Sequence, residues 1–233
     1  LCYNFAMTML DLAPAHATAA AHLHISGQPG TFLTNLGPAV LTVFYRALPT
    51  ATSGWGFVWL DEQTPSLQDG AAVSPATTGL SPIGFVAATT STARLFAVLG
   101  TRYLLQFLPP LLVRYRRQPR LIVQSVQTLL YPLQATAAAR VDHTTTGPAA
   151  ELLSIMVEPA WRSQGIGAAL LHQLITSCRA RELSTLEVTV DAANTRAQHF
   201  YRRYGFVMAY PFMLYGRAMY RYRLALVTDG PQP

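Results

Sequence analysis

Apolar residues recur along this chain with two different periods, and the changes between them mark out the elements. Val40, Val43, Phe44 and Ala47 share one face of a helix from about Gly37 to Ala47. Pro14 suits the first turn of an earlier helix that carries on to about Ser26, and "GQPG" (27–30) ends it. "GWGFVWLDE" (54–62) and "PIGFVAATT" (82–90) concentrate aromatic and β-branched residues and predict two strands. A polar loop with Pro65, Gly70, Pro75 and Gly79 joins them. Residues 92–133 read as apolar helical pieces studded with arginine, broken by Pro109 and Pro110. A Thr-rich loop with Gly147 and Pro148 follows.

From Glu151 the pattern becomes regular. A strand at 151–158 leads to a helix from about Gly165, with Leu170, Leu171, Leu174, Ile175 and Cys178 at helical spacing. A strand at 184–192 comes next. Asn194 can cap a helix in which Ala197, Phe200, Tyr201 and Tyr204 form one stripe, and Gly205 stops it. Two closing strands, "FVMAYPFML" and "AMYRYRLAL", complete a mixed α/β half with no internal repeat.

Composition narrows the function classes. Half of the 233 residues are hydrophobic (51%), enough for one large domain with a substantial core. All 17 basic residues are arginine, and the formal net charge is +6. Arginine favours planar partners such as carboxylates and phosphates, although a base-rich genome yields the same bias. No basic stripe with interleaved aromatics speaks for nucleic acid; the densest cluster is "RYRRQPR" (114–120). Cys2 and Cys178 form no disulfide framework, Cys2 lying at an apparently loose terminus. The six histidines include no HExxH, so no metal is expected. No charged n-region and cleavage site open the chain, and no apolar run reaches about 18 residues. A soluble, cytoplasmic protein is the expectation, without stable membrane insertion.

Gly165 and Gly167 stand where a helix starts, although helix interiors penalise glycine by about 1 kcal/mol against alanine. A strand-to-helix junction offers free N–H groups and the positive end of a helix dipole, a natural anion site. Glycine lets a phosphate approach the backbone, and Arg162 adds charge. No Lys-Ser/Thr follows as in a Walker A loop, and the GxGxxG of a dinucleotide fold is absent. Close packing of the helix on the sheet is the alternative use of the glycines.

The neighbouring residues decide for the first use. "V-x-P-x-x-R-x-x-G-I-G-x-x-L" and, one strand later, "N-x-x-A-x-x-F-Y-x-x-x-G-F" (Asn194 to Phe206) resemble the GNAT superfamily of acetyl-CoA-dependent N-acyltransferases. "PGTFLTNLGPAVLTVFYRAL" (29–48) resembles the N-terminal helical region of a bacterial branch of that superfamily. The resemblance implies a mixed, mostly antiparallel central sheet flanked by helices, with a helical insertion before the fourth strand. It implies a single domain over 1–233: N-terminal helices and strands at 10–90, the insert at 92–133 and an acetyl-CoA-binding core at 150–227.

By the same resemblance, the backbone of Ile155, Met156 and Val157 pairs with the pantetheine arm of coenzyme A. The segment Arg162, Ser163, Gln164, Gly165, Ile166, Gly167 and Ala168 holds the pyrophosphate, with Asn194 as cap and cofactor contact. Strands 151–158 and 184–191 splay apart to admit the thioester, and a free strand amide, that of Val157, polarises its carbonyl. A neutral amine must attack, so a base is needed. Glu151 is the first candidate, matching the glutamate base of histone-type members; Glu187, on the face shared by Thr189 and Asp191, is the second. Tyr201 occupies the general-acid position, with Phe200 better suited to packing. The expected function is acetyl transfer to a primary amine of a small molecule or peptide, by direct transfer in a ternary complex. A non-catalytic acyl-CoA sensor and an interaction protein working through the insert are the rivals. The insert is expected to roof the acceptor site, ahead of a homodimer contact or a membrane contact.

Overall fold

The computed structural model describes residues 7–61, 81–128 and 147–226. Among these described residues seven strands form one sheet in the order β1-β2-β3-β4-β5-β7-β6. They are β1 (Met7–Asp11), β2 (Gly54–Asp61), β3 (Ser81–Thr89), β4 (Ala149–Val157), β5 (Thr185–Asp191), β6 (Val207–Leu214) and β7 (Arg217–Ala225). Every pairing is antiparallel except that of β4 with β5. The sheet is mixed and mostly antiparallel, as expected, and the helical insert precedes the fourth strand. The pattern did not predict the short helix at Phe32–Leu36, nor β1, five residues with no clean alternation that are ordered by their pairing with β2. Cys2, the segment 62–80 with the expected polar loop, and the segment 129–146 with the end of the expected insert lie outside the described residues.

Helices cover both faces. α7 (Ile166–Ala180) and α8 (Thr195–Arg203) pack on one face, where Leu170, Leu171 and Leu174 join Val86, Leu152 and Val188 in a buried cluster. α1 (Ala17–Gly27), α2 (Phe32–Leu36), α3 (Pro38–Ala47) and α4 (Thr92–Thr101) lie on the other. There Leu41, Tyr45, Leu95 and Phe85 are fully buried. α5 (Leu104–Arg117) and a helical stretch at 120–128, α6, reach the body through Leu111 and Leu121, which meet Phe32, Leu36 and Val40.

The insert departs from expectation at its prolines. α5 runs through Pro109 and Pro110. The two missing N–H groups would have bonded to the carbonyls of Leu105 and Gln106; Leu105 is 87% exposed, so water can serve its end of the helix. The break comes earlier, at Arg102 and Tyr103, where α4 and α5 meet at 93°. Among the described residues no single helix is long and apolar enough to cross a membrane.

Candidate active site

The site begins with a defect in β4. Ala87 pairs with Ser154 and Ala88 with Leu152, so Leu153 is an extra residue with no partner on β3. Such a bulge bends its strand. The parallel ladder to β5 ends at the same point, its last pair being Leu152 with Val188. From Leu153 onward β4 and β5 part, as the resemblance implied.

The ladder also says which backbone groups face the gap. Glu158 N–H donates to the Ile83 carbonyl at 2.8 Å. In an antiparallel ladder that bond makes Gly84–Val157 a non-hydrogen-bonded pair, so the N–H and C=O of Val157 point away from β3. By the period of two, those of Ile155 do the same, while Met156 turns its backbone to β3. The Val157 carbonyl accepts from Arg162 Nε at 3.1 Å. The Val157 amide is directed into the gap.

Beyond β4 the chain curls into α7. Ser163 (φ 65) and Gly165 (φ 85) are both left-handed, and Gly165 is the N-cap with no side-chain cap. Ala169 N–H to the Gly165 carbonyl (3.0 Å) is the first bond of the helix, so the amides of Ile166, Gly167 and Ala168 precede it. A Cβ at Gly165 would meet nothing within 4 Å, and one at Gly167 only Val157 and Phe200 at ordinary distances. Protein packing therefore requires neither glycine. The space they leave open is a cradle on the dipole-positive end of a helix, which fits an anion.

A cavity of about 540 Å³ opens on this cradle. Ile155, Met156 and Val157 border it, with Arg162, Ser163, Gly165, Gly167, Ala168 and Asn194. Gln164 turns its side chain back to the Ala160 carbonyl, and Ile166 is buried in the core, so these two offer only backbone. Asn194 Oδ1 accepts from Ala197 N–H at 3.0 Å, capping α8. Arg196 and Arg203, also of α8, bring positive charge to the same cavity. The sequence signal for them was the arginine spacing of seven on one helix face. The stripe on α8 divides differently from expectation. Tyr201 is the buried member, and Phe200, one position or 100° away, lines the cavity.

A second cavity of about 520 Å³ lies on the α3 side. Leu153 and Ser154 border it, so β4 passes from one cavity to the other between Ser154 and Ile155. Glu151 and Tyr201 both line this second cavity, together with Thr189 and Asp191 of β5. Burial pushes the Tyr201 phenol well above the ordinary tyrosine range, so it keeps its proton. Glu151 Oε1 accepts from Arg221 Nη1 at 2.7 Å and Oε2 from Thr92 Oγ1 at 3.1 Å. Glu187 is away from the cavity, paired to Arg223 and Arg221. Arg221 of β7, 2% exposed, also donates to Thr189 at 3.0 Å and knits β4, β5 and β7 together. It escaped the sequence reading, although alternate arginines in "RYR" facing Glu187 and Thr189 across one ladder were its signal.

A buried network closes this floor. The Tyr45 hydroxyl donates to Ser154 Oγ at 3.0 Å and lies 2.6 Å from His24 Nδ1. Desolvation holds the His24 imidazole down to about 4 and raises the Tyr45 phenol. Among the described residues no group of three metal-ligating side chains gathers.

Residues 128–206 match the model of the acetyltransferase (GNAT) family. The chain is 42% identical over 57 residues, 24% of its length, to the [ribosomal protein bS18]-alanine N-acetyltransferase of Haemophilus ducreyi, and spans 39% of that relative. The crystal structure of the ribosomal-protein-S18-alanine N-acetyltransferase from Escherichia coli superposes with a TM-score of 0.54 at 16% identity, covering 97% of this chain and 98% of that one. Arabidopsis thaliana NAA60 in complex with acetyl-CoA gives 0.54 at 13% identity, covering 94% and 98%. At those identities the likeness is one of fold. The segment matched by that family model holds both the split between β4 and β5 and the α7 cradle.

Proposed function

We propose that this protein moves an acetyl group from acetyl-CoA to a primary amine, directly, within one ternary complex. One observation carries the reading: a single strand borders both an anion cradle and a cavity holding a carboxylate and a protonated phenol. Strand groups turned away from their neighbour need partners, and the N–H and C=O of Ile155, directed into the gap, suit the amides of a pantetheine arm. The α7 amides and Arg162, Arg196 and Arg203 suit its phosphates. In this reading the Val157 amide donates to the thioester oxygen as charge develops there. Glu151 takes the proton of the attacking amine, and Tyr201 returns one to the leaving thiolate.

The test is release of free thiol from acetyl-CoA on addition of an amine panel, with acetyl-CoA affinity measured in parallel by calorimetry. Glu151→Gln is expected to slow turnover most near neutral pH and to recover partly at high pH, where free amine is abundant. An unchanged pH–rate profile would remove Glu151 from the role. Acetyl-CoA binding without thiol release for any amine would make the protein an acyl-CoA-binding module.

A further inference from the structure

The second cavity is built for a particular kind of amine. Its polar groups of β4, β5 and α8 (Glu151, Ser154, Thr189, Asp191, Tyr201) gather at the end that meets the β4–β5 gap. The opposite wall is apolar: Val40 and Phe44 of α3, Leu95 and Leu99 of α4, Phe107 and Leu111 of α5. Of the polar side chains on its far rim, Thr128 is engaged with Tyr215 at 2.6 Å and Thr31 with the Gln28 carbonyl at 3.2 Å, and Asn35, Gln124 and Ser125 complete that rim. Leu104 and Leu108 line the cavity and are also about two-fifths exposed (41% and 40%), so the apolar wall runs out to the surface between them. The volume of about 520 Å³ lies within the range of small-molecule sites, roughly 300–1,000 Å³.

Charge and hydrogen bonding favour an apolar amine over other kinds. Asp191 is paired with Arg217 at 2.7 Å and Glu151 with Arg221 at 2.7 Å, so the head end carries no surplus of negative charge to draw a polycation. An amino sugar would strand its hydroxyls against leucine and phenylalanine. A peptide would strand an N–H and a C=O at each residue, and a buried polar group without a partner is costly. An alkyl or aryl body has nothing to strand.

We propose that the acceptor is a small primary amine carried on an extended apolar body, its nitrogen at Glu151 and its body along α3, α4 and α5. This rests on the acetyltransferase reading, and the experiment separates the two. Wild-type protein is given acetyl-CoA and, in turn, ethylamine, hexylamine, octylamine, decylamine, glucosamine and an alanine-initiated tetrapeptide. Each added methylene that is buried should raise kcat/KM about four-fold until the cavity is full. Glucosamine and the tetrapeptide should fall below hexylamine. In Leu104→Gln/Leu108→Gln, both partly exposed positions, the dependence on chain length should flatten at the long end while acetyl-CoA affinity holds.

Calorimetry of the same amines on protein saturated with CoA gives a readout independent of turnover. Chain-length-dependent binding with no thiol release would sink the acetyltransferase reading and keep the apolar-amine site. Absence of alkylamine binding would overturn the proposal, as would faster turnover of the peptide or the sugar. A preference for octanoyl-CoA over acetyl-CoA, with no dependence on the amine, would assign the cavity to the acyl chain and overturn it too.

Discussion

Tyr201 and Phe200 are neighbours in sequence with opposite surroundings, and one helical step separates them. Tyr201 lines the second cavity although its side chain is otherwise part of the core. Tyr201→Phe keeps the volume and removes the proton; kcat is expected to fall roughly 100-fold or more, the usual range for a general acid. Acetyl-CoA affinity and Tm should hold, and a variant with wild-type kcat would free Tyr201 from the acid role. His24 offers a test at low pH. Its folded value near 4 lies below the ordinary 6.5, so the unfolded chain binds the extra proton and stability falls as pH drops from 6.5 to 4. The shift corresponds to roughly 3 kcal/mol. Urea titrations of wild type and His24→Asn across that interval should show the shallower dependence in the variant; parallel curves would contradict the assignment.

At the scale of elements, the two glycines do different jobs. Gly165→Ala would hold a side chain in the left-handed region, at about 1 kcal/mol, and Tm should drop about 2–4 °C for a chain of this size. Gly167 has ordinary helical surroundings, so Gly167→Val tests the cradle without unfolding it. Loss of one hydrogen bond to a charged group, about 1.5–3 kcal/mol, predicts acetyl-CoA binding weaker by roughly 10- to 100-fold. Wild-type affinity by calorimetry would remove the phosphates from the cradle. Arg221→Met would leave Glu151 and Glu187 with less compensation beneath the cavity and is expected to cost about 3–5 kcal/mol in chemical denaturation. The cradle and α8 were legible because their chemistry is local: cap, glycine, helix face. Arg221, the Ser154–Tyr45–His24 network and β1 were not, because each depends on partners tens of residues away in sequence. The prolines of α5 misled for a similar reason: local propensity sees two missing donors but not the solvent that serves the freed carbonyls.

For the whole molecule, the charge balance bears on the proposed use of acetyl-CoA. A net charge of +6, all of its cations arginine, surrounds a cavity edged by Arg162, Arg196 and Arg203. Acetyl-CoA is anionic, so stopped-flow association is expected to slow as salt rises, with dissociation less affected. A salt-independent on-rate would mean that these arginines serve the fold alone.

The extra residue at Leu153 puts the fourth strand out of phase with itself. Ala150 and Leu152 face the α7 side, yet Ser154 and Met156 face the α1 side, although all four positions are even. Deleting one residue there would restore the phase and let the ladder to β5 zip onward. Ser154 and Met156 would keep the α1 side, and Ile155 and Val157 the α7 side, now in unbroken alternation with Leu152. The cleft is thus a dislocation, fixed by the number of residues in the strand. Bond rotation can open or close a lid, but it cannot remove a miscounted residue, and so the cleft persists through any motion that leaves the sheet folded.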